Sequence, residues 1–244
     1  MTALLVIAVL VASAVQRLTG IGFAMLVAPF AVLALGPGPG VVLVNALGIV
    51  SAVLVMVRVR QDIHWPAVGG LLPSAAVGVL LGVVITRALS VAAAQIAAGA
   101  VIMLAVGTSV LVVRTTSVAR TTTVTAVAGT ASGLMGALAG VGGSAMAVLA
   151  ILTRWEAKDF AATMQPYFAL LGVITITGRL LADPRTWPGL SLPVWACLAT
   201  AMVVGLVLGE RVVPSPALAR NVVVLLAGAG GLLAVVDGAR TLIG

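Results

Sequence analysis

Apolar residues fill this chain in runs too long for a water-soluble fold, and short polar stretches cut the runs at regular intervals. The first run covers roughly residues 2–35. As one straight helix it would be about 50 Å long at 1.5 Å per residue, against a hydrocarbon core of roughly 30 Å. Gln16, Arg17, Thr19, Gly20 and Gly22 interrupt it. The pattern therefore predicts two apolar pieces of about 13 residues, each too short to span alone. A Gly-Pro-Gly-Pro-Gly turn at 36–40 closes the unit. Runs at about 41–57, 67–86 and 91–113 predict three plain transmembrane helices. After a polar linker at 114–123 the order repeats. A broken run at about 124–153 leads to spans at 160–178, 190–209 and 217–236, with charged or proline-rich loops at 154–159, 179–189 and 210–216.

Two glycine-rich segments carry this repeat. Residues 133–153, GLMGALAGVGGSAMAVLAILT, hold five glycines within an apolar run, and residues 16–30, QRLTGIGFAMLVAPF, hold a weaker copy. Gly20-x-Gly22 stands 120 positions before Gly140-x-Gly142, and Asn45 and Gln165 share that spacing. Gly78 and Gly82 match Gly205 and Gly209 at 127 positions, the longer loop around 183–188 absorbing the difference. Glycines four apart also serve close helix packing, but three matches kept in one order point to a duplication. The expected architecture is an all-α integral membrane protein of two inverted repeats, 1–118 and 119–244. Each would hold one broken, re-entrant-like helix and three transmembrane helices.

Composition agrees with a bilayer environment. Of 244 residues 62% are hydrophobic and 8% charged, and the mean hydropathy is +1.28, whereas soluble domains carry roughly a quarter charged residues. Long continuous runs, in place of alternating strands of about ten residues, argue against a porin-type barrel. The net charge of +7 comes from 13 Lys and Arg scattered singly through the connecting loops. Nucleic acid is therefore not an expected partner, and the basic loops read as cytoplasmic. Cys197 is the single cysteine, which excludes an internal disulfide and a cysteine metal cage. The first run has no basic region before it and no clear cleavage signal after it, so it is expected to belong to the mature protein.

Orientation follows from the basic residues. If each broken run enters and leaves on one side, every half has three crossings and the halves are inverted. Arg58, Arg60, Arg114, Arg120, Arg154, Lys158, Arg211 and Arg220 then share one face, against Arg87, Arg179, Arg185 and Arg240 on the other. Full crossings would split the same residues more evenly. The first arrangement fits the positive-inside bias better and predicts an inner (plasma) membrane protein with both termini outside the cytoplasm.

A helix interrupted inside a membrane exposes backbone N–H and C=O groups that cost several kcal/mol each unless protein, water or ligand satisfies them. Paired breaks in the two halves of a chain are the sequence mark of a transporter's binding site. The second half-helices begin near 22–24 and 142–144, and their N-terminal ends, about +0.5 charge each, would converge near the midplane in inverted halves. That is a site for a small anion.

The backbone of Gly20, Gly22, Phe23, Gly140, Gly142 and Gly143 would form the site. Thr19 and Ser144 offer hydroxyl donors, and Asn45 and Gln165 offer amide donors on the next helix of each half. Interhelical hydrogen bonding is the alternative for each of these side chains taken alone. Pro166 removes a helical bond to Ala162 and is expected to bend its helix. Arg17 either offsets substrate charge or snorkels to the interface. Arg179 reads as a snorkelling anchor, and His64 as a solvated loop residue.

No acidic residue falls near the centre of a predicted span, which argues against a buried carboxylate proton relay. The absence of H-E-x-x-H, G-x-S-x-G and paired intramembrane aspartates argues against an intramembrane hydrolase. Neither an enzyme nor a cofactor is expected.

The segment QRLTGIGFAMLVAPF, followed by a Pro/Gly turn, and SGLMGALAGVGGSAMAVL some 120 residues on resemble the paired glycine motifs of the sulfite exporter TauE/SafE family. The resemblance covers nearly the whole chain in length, duplication and hydropathy. Its specific motif content is confined to the two glycine segments. It implies a small bacterial inner-membrane protein that moves sulfur-containing anions such as sulfite, sulfoacetate or other organosulfonates. Phe23 and Ala24 stand where members often continue the glycine run, and Ser144 where proline or a third glycine is common.

The expectation is a secondary transporter working by alternating access around the midplane site. An anion channel and a non-transporting scaffold or enzyme subunit are the rival readings. The expected partners are a small anionic substrate and the bilayer. A coupling ion, H+ or Na+, and a second copy of the chain in a homodimer stay open.

Overall fold

The computed structural model describes residues 2–19, 22–111, 118–211 and 216–243. The side chains of 2, 17–19, 109–111, 210, 211, 216–220, 222, 223 and 243 lie outside the described set. Among the described residues ten α-helices follow in order: α1 (Thr2–Thr19), α2 (Gly22–Leu35), α3 (Pro37–Val59), α4 (Trp65–Ala88), α5 (Val91–Leu111), α6 (Thr122–Ala139), α7 (Gly143–Leu152), α8 (Ala157–Ala182), α9 (Leu192–Arg211) and α10 (Pro216–Ile243). Single 3-10 turns at Arg60–Asp62 and Pro184–Thr186 follow α3 and α8. Among the described residues there is no strand, and seven helices are long and apolar enough to cross a membrane. Val84, Leu181, Leu192 and Leu225 stand exposed on the outside, where acyl chains would solvate them.

Several boundaries differ from the hydropathy. α1 continues through Gln16, Arg17 and Thr19, because glutamine and arginine are good helix formers and do not stop a helix by being polar. Only 20–21 separate α1 from α2, and both lie outside the described residues. Gly36, at φ 84°, makes the next turn alone. Residues 37–40 are already the first turn of α3, since proline at the first helical position holds the required φ. α8 passes through Pro166 and takes in Arg179, and α10 takes in Asp237.

Both glycine-broken stretches fold back on themselves. α6 ends at Gly140, which adopts φ 76°. Its N–H donates to the Gly136 carbonyl at 2.9 Å, and the Val141 N–H donates to the Met135 carbonyl at 3.4 Å. The first is the 5→1 bond of an αL cap, whose left-handed residue favours glycine. α7 then returns along α6. The Val118 N–H, just ahead of α6, donates to the Leu152 carbonyl at the end of α7 at 2.8 Å. The Arg120 guanidinium lies 3.7 Å above the Trp155 ring and pins the same end. In the first stretch, Leu4 and Leu5 near the start of α1 share a hollow with Leu33 and Ala34 near the end of α2.

The glycine matches reappear as packing. Gly78 of α4 lies against the Thr130 carbonyl of α6, and Gly205 of α9 against the Leu10 carbonyl of α1. Gly82 abuts Ala137 and the Leu134 carbonyl, as Gly209 abuts the Ala14 carbonyl. Thr130 and Leu10 are 120 positions apart, as are Leu134 and Ala14, so α4 meets α6 as α9 meets α1. A Cβ on Gly78 or Gly205 would overlap the facing oxygen.

Two further pairs cross in opposite senses. At one end of α3 and α8, Lys158 Nζ pairs with Asp62 Oδ1 at 2.8 Å, and at the other Gly38 packs on Thr186. Along α5 and α10, Gln95 Nε2 donates to Asp237 Oδ2 at 2.7 Å, while Gly99 packs on Gly231. Two apolar clusters complete the frame. Leu26, Leu43, Ile102 and Met202 belong to one, and Leu71, Val79, Met146 and Tyr167 to the other.

Candidate functional site

The two breaks meet at one cavity. Phe23 and Ala24 in the first turn of α2 form part of its wall, and Gly142 and Gly143 at the start of α7 form another. Gln16 of α1 and Gly136 and Gly140 at the end of α6 close it from the first arms. Val44, Asn45 and Gly48 of α3 face Phe168 and Leu171 of α8 across it. Its volume is about 60 Å³. Pockets for drug-sized ligands hold roughly 300–1,000 Å³, so this one suits an ion of a few heavy atoms.

Local bonding holds the break open. Ser132 Oγ, fully buried on α6, donates to the Gly142 carbonyl at 2.9 Å. A Cβ on Gly142 would stand 2.5 Å from the Ser132 carbonyl oxygen, so only glycine fits there. A Cβ on Gly140 would press Val44 at 3.0 Å and come within 3.9 Å of Asn45 Nδ2, which places that amide beside the left-handed turn. The N–H groups at the start of a helix lack intrahelical partners. α2 and α7 thus bring two positive helix ends to the cavity wall, each carrying about half a charge.

Side-chain donors supplement them. Asn45 Nδ2 spends one hydrogen on the Val41 carbonyl at 2.8 Å, leaving the second for the cavity that Asn45 lines. Gln16 Oε1 accepts the Ser51 hydroxyl at 2.7 Å, which leaves the Gln16 amide hydrogens as donors at the wall. Among the described residues no Asp, Glu, His or Cys lines the cavity. The arrangement is rich in neutral N–H donors, each bond to a charged ligand being worth about 1.5–3 kcal/mol. It can bind and desolvate a compact anion.

The sequence pattern of the sulfite exporter TauE/SafE family matches residues 5–234. The chain belongs to the sulfite exporter TauE/SafE family. Membership in this transporter family, together with seven membrane-length helices, makes it a multi-pass membrane protein. No curated protein and no solved structure matches the chain.

In this TauE/SafE chain the residues expected at the site fall into three groups. Phe23, Asn45, Gly140, Gly142 and Gly143 line the cavity together. Ser144 and Gln165 do not. Ser144 Oγ donates to the Val141 carbonyl at 2.9 Å, and Ser144 lines a separate apolar hollow between α6 and α7. Gln165 Nε2 donates to the Ala161 carbonyl at 2.9 Å, the bond that Asn45 makes 120 positions earlier. Gly22 opens α2, while Gly20 and the side chains of Arg17 and Thr19 lie outside the described residues.

Gln16, Gly48, Gly136 and Phe168 line the cavity without being among the expected site residues. Gly48 and Phe168 stand three positions after Asn45 and Gln165, so helical spacing alone carried the signal. Arg179 departs from its expected role as an interface anchor. It is buried at 5% exposure, and its Nε donates inward to the Ala137 carbonyl of α6 at 3.2 Å, with a second bond from Nη2.

Proposed function

We propose that this protein is a secondary transporter, not an enzyme, that carries a small sulfur oxyanion across the bacterial inner membrane by alternating access around the central cavity. The observation that carries this reading is the meeting of the first turns of α2 and α7 at a single small cavity. Two positive helix ends and the amides of Gln16 and Asn45 stabilise an oxyanion without a fixed countercharge, so the ion can also leave. The volume of about 60 Å³ favours sulfite, with four heavy atoms, over longer organosulfonates such as sulfoacetate.

The moving parts are two inverted repeats, 1–118 and 119–244. Their inversion is supported by the fold-back of both broken stretches, which leaves α3, α4 and α5 as an odd number of crossings before the second half begins. The opposite senses of α3 and α8, and of α5 and α10, support it too. The face bearing Arg58, Arg60, Arg120, Arg154 and Lys158 is then cytoplasmic by the positive-inside bias. H+ or Na+ is the class of coupling ion to be tested, and a homodimer the assembly to be tested.

Purified protein in liposomes tests the reading. Sulfite flux should saturate and be accelerated by sulfite on the opposite side. An anion channel would show flux without counterflow, and a scaffold would show none.

A further inference from the structure

A second hollow, of about 440 Å³, lies at the other end of α3 and α8 from the Asp62–Lys158 pair. Arg87 at the end of α4, Arg179 of α8 and Arg185 of the turn after α8 all line it. Asp183 is the one described carboxylate in its wall, and that carboxylate accepts from the Arg185 backbone N–H at 2.9 Å. Among the described residues no carboxylate pairs with any of the three guanidiniums. The wall therefore carries a surplus of two positive charges.

Arg179 separates this cluster from a set of interface anchors. An anchor reaches outward to lipid headgroups, whereas Arg179 reaches inward, its Nε and Nη2 both directed to Ala137, three positions before the Gly140 turn. A guanidinium has five donors, so three remain while the side chain is 95% buried against the hollow. The position 120 residues earlier is Val59, so the arginine is no part of the repeated frame. Arg87 and Arg185 are exposed and line the same hollow.

We propose that the hollow is a second binding site for a small oxyanion, held by Arg87, Arg179 and Arg185 before it enters or after it leaves the central cavity. Its greater volume accommodates an ion with part of its hydration, which the central cavity does not. Arg179 joins the two sites through α6. The place of this site on a transport path rests on the function proposed above, while its binding of an anion does not.

Trp187, two residues from Arg185 and stacked on Trp195 at 6.2 Å, provides a native reporter. Tryptophan emission of detergent-purified protein is titrated with sodium sulfite at constant ionic strength, for wild type, R87Q/R185Q and Gly48→Leu, and sulfite flux is measured in liposomes. The proposal expects a saturable signal in wild type and Gly48→Leu, weakened at least tenfold in R87Q/R185Q. It also expects the flux KM of R87Q/R185Q to rise about fivefold with the maximal rate within twofold of wild type. An R87Q/R185Q titration indistinguishable from wild type, or no saturable signal in wild type, overturns it. If wild-type liposomes move no sulfite while the arginine-dependent signal persists, the second site stands and the transport reading fails. Normal flux at every concentration in R87Q/R185Q, with no arginine-dependent signal, removes the second site and leaves transport intact.

Discussion

The two halves of this molecule agree in their frame and disagree in what they show to the central cavity. Gly78 and Gly205 each admit the carbonyl of a crossing helix, at positions 120 residues apart on α6 and α1. Asn45 and Gln165 each donate to the carbonyl four residues back. The lining is another matter. Gly48 of α3 corresponds to Phe168 of α8, Gln16 of α1 to Gly136 of α6, and Ala24 of α2 to Ser144 of α7.

Backbone overlap explains the agreement, because a Cβ at a crossing would collide whatever the cargo. Lining positions such as Gly48, where a Cβ meets nothing within 4 Å, face no such constraint and are free to differ. The cavity is consequently lopsided, with both side-chain amides on the first-half side and its two aromatic rings, Phe23 and Phe168, at positions that do not correspond. Residues at matching positions of the two halves therefore need not have matching roles.

The comparison is most severely tested at the crossings. Gly78→Leu and Gly205→Leu should each leave little folded protein, since overpacking of this kind costs about 1–3 kcal/mol or more. Thermal unfolding in detergent, or the yield of monodisperse protein, reads the effect. Tolerance at one position and collapse at the other would break the claim of a shared frame.

The amide pair comes next. Asn45→Leu should weaken sulfite binding about tenfold, the loss of one bond to a charged ligand at about 1.5 kcal/mol. Gln165→Leu should change it less than twofold, because Gln165 does not reach the cavity. Titrations of the two variants side by side give the contrast, and equal losses would restore a symmetric site. Smallest of all is Ser144→Ala, which removes a bond to the Val141 carbonyl and a weaker contact with Met135 Sδ. Flux should stay within about twofold of wild type and stability within about 1 kcal/mol. A large loss of flux would return Ser144 to the site.

Hydropathy and the glycine repeat made the helical class, the two breaks and the crossing glycines legible, because each depends on residues that are rare or costly in a membrane helix. The extent of the first break is not legible, because Gln16, Arg17 and Thr19 are polar yet compatible with a helix, so polarity there does not mark an interruption. Proline at 37 and 39 suggested a turn for the same reason, although the first turn of a helix accepts it. Asn45 was found by its match with Gln165, but that match conveyed shared position and not shared exposure. Gly48 escaped notice because a glycine that borders empty space has no local signature. Arg179 reads as a loop residue because charge in an apolar run marks the run's expected end, whereas the helix continues and the guanidinium turns inward.

Gly48 provides the most direct test of the central claim. A Cβ there meets nothing within 4 Å, so a side chain at this position enters the cavity with its first carbon clear of every neighbour. Gly142 offers no such separation, since any side chain there would strike Ser132. The measurement is the sulfite-dependent rise in melting temperature of purified wild-type and Gly48→Leu protein. A ligand at a hundred times its Kd stabilises by about 2.7 kcal/mol. A saturable rise is expected for wild type, and for Gly48→Leu an unchanged melting temperature without sulfite and, in the component of the rise that R87Q/R185Q retains, an affinity reduced by at least tenfold. A variant that melts and binds as wild type does would contradict a binding site in this cavity.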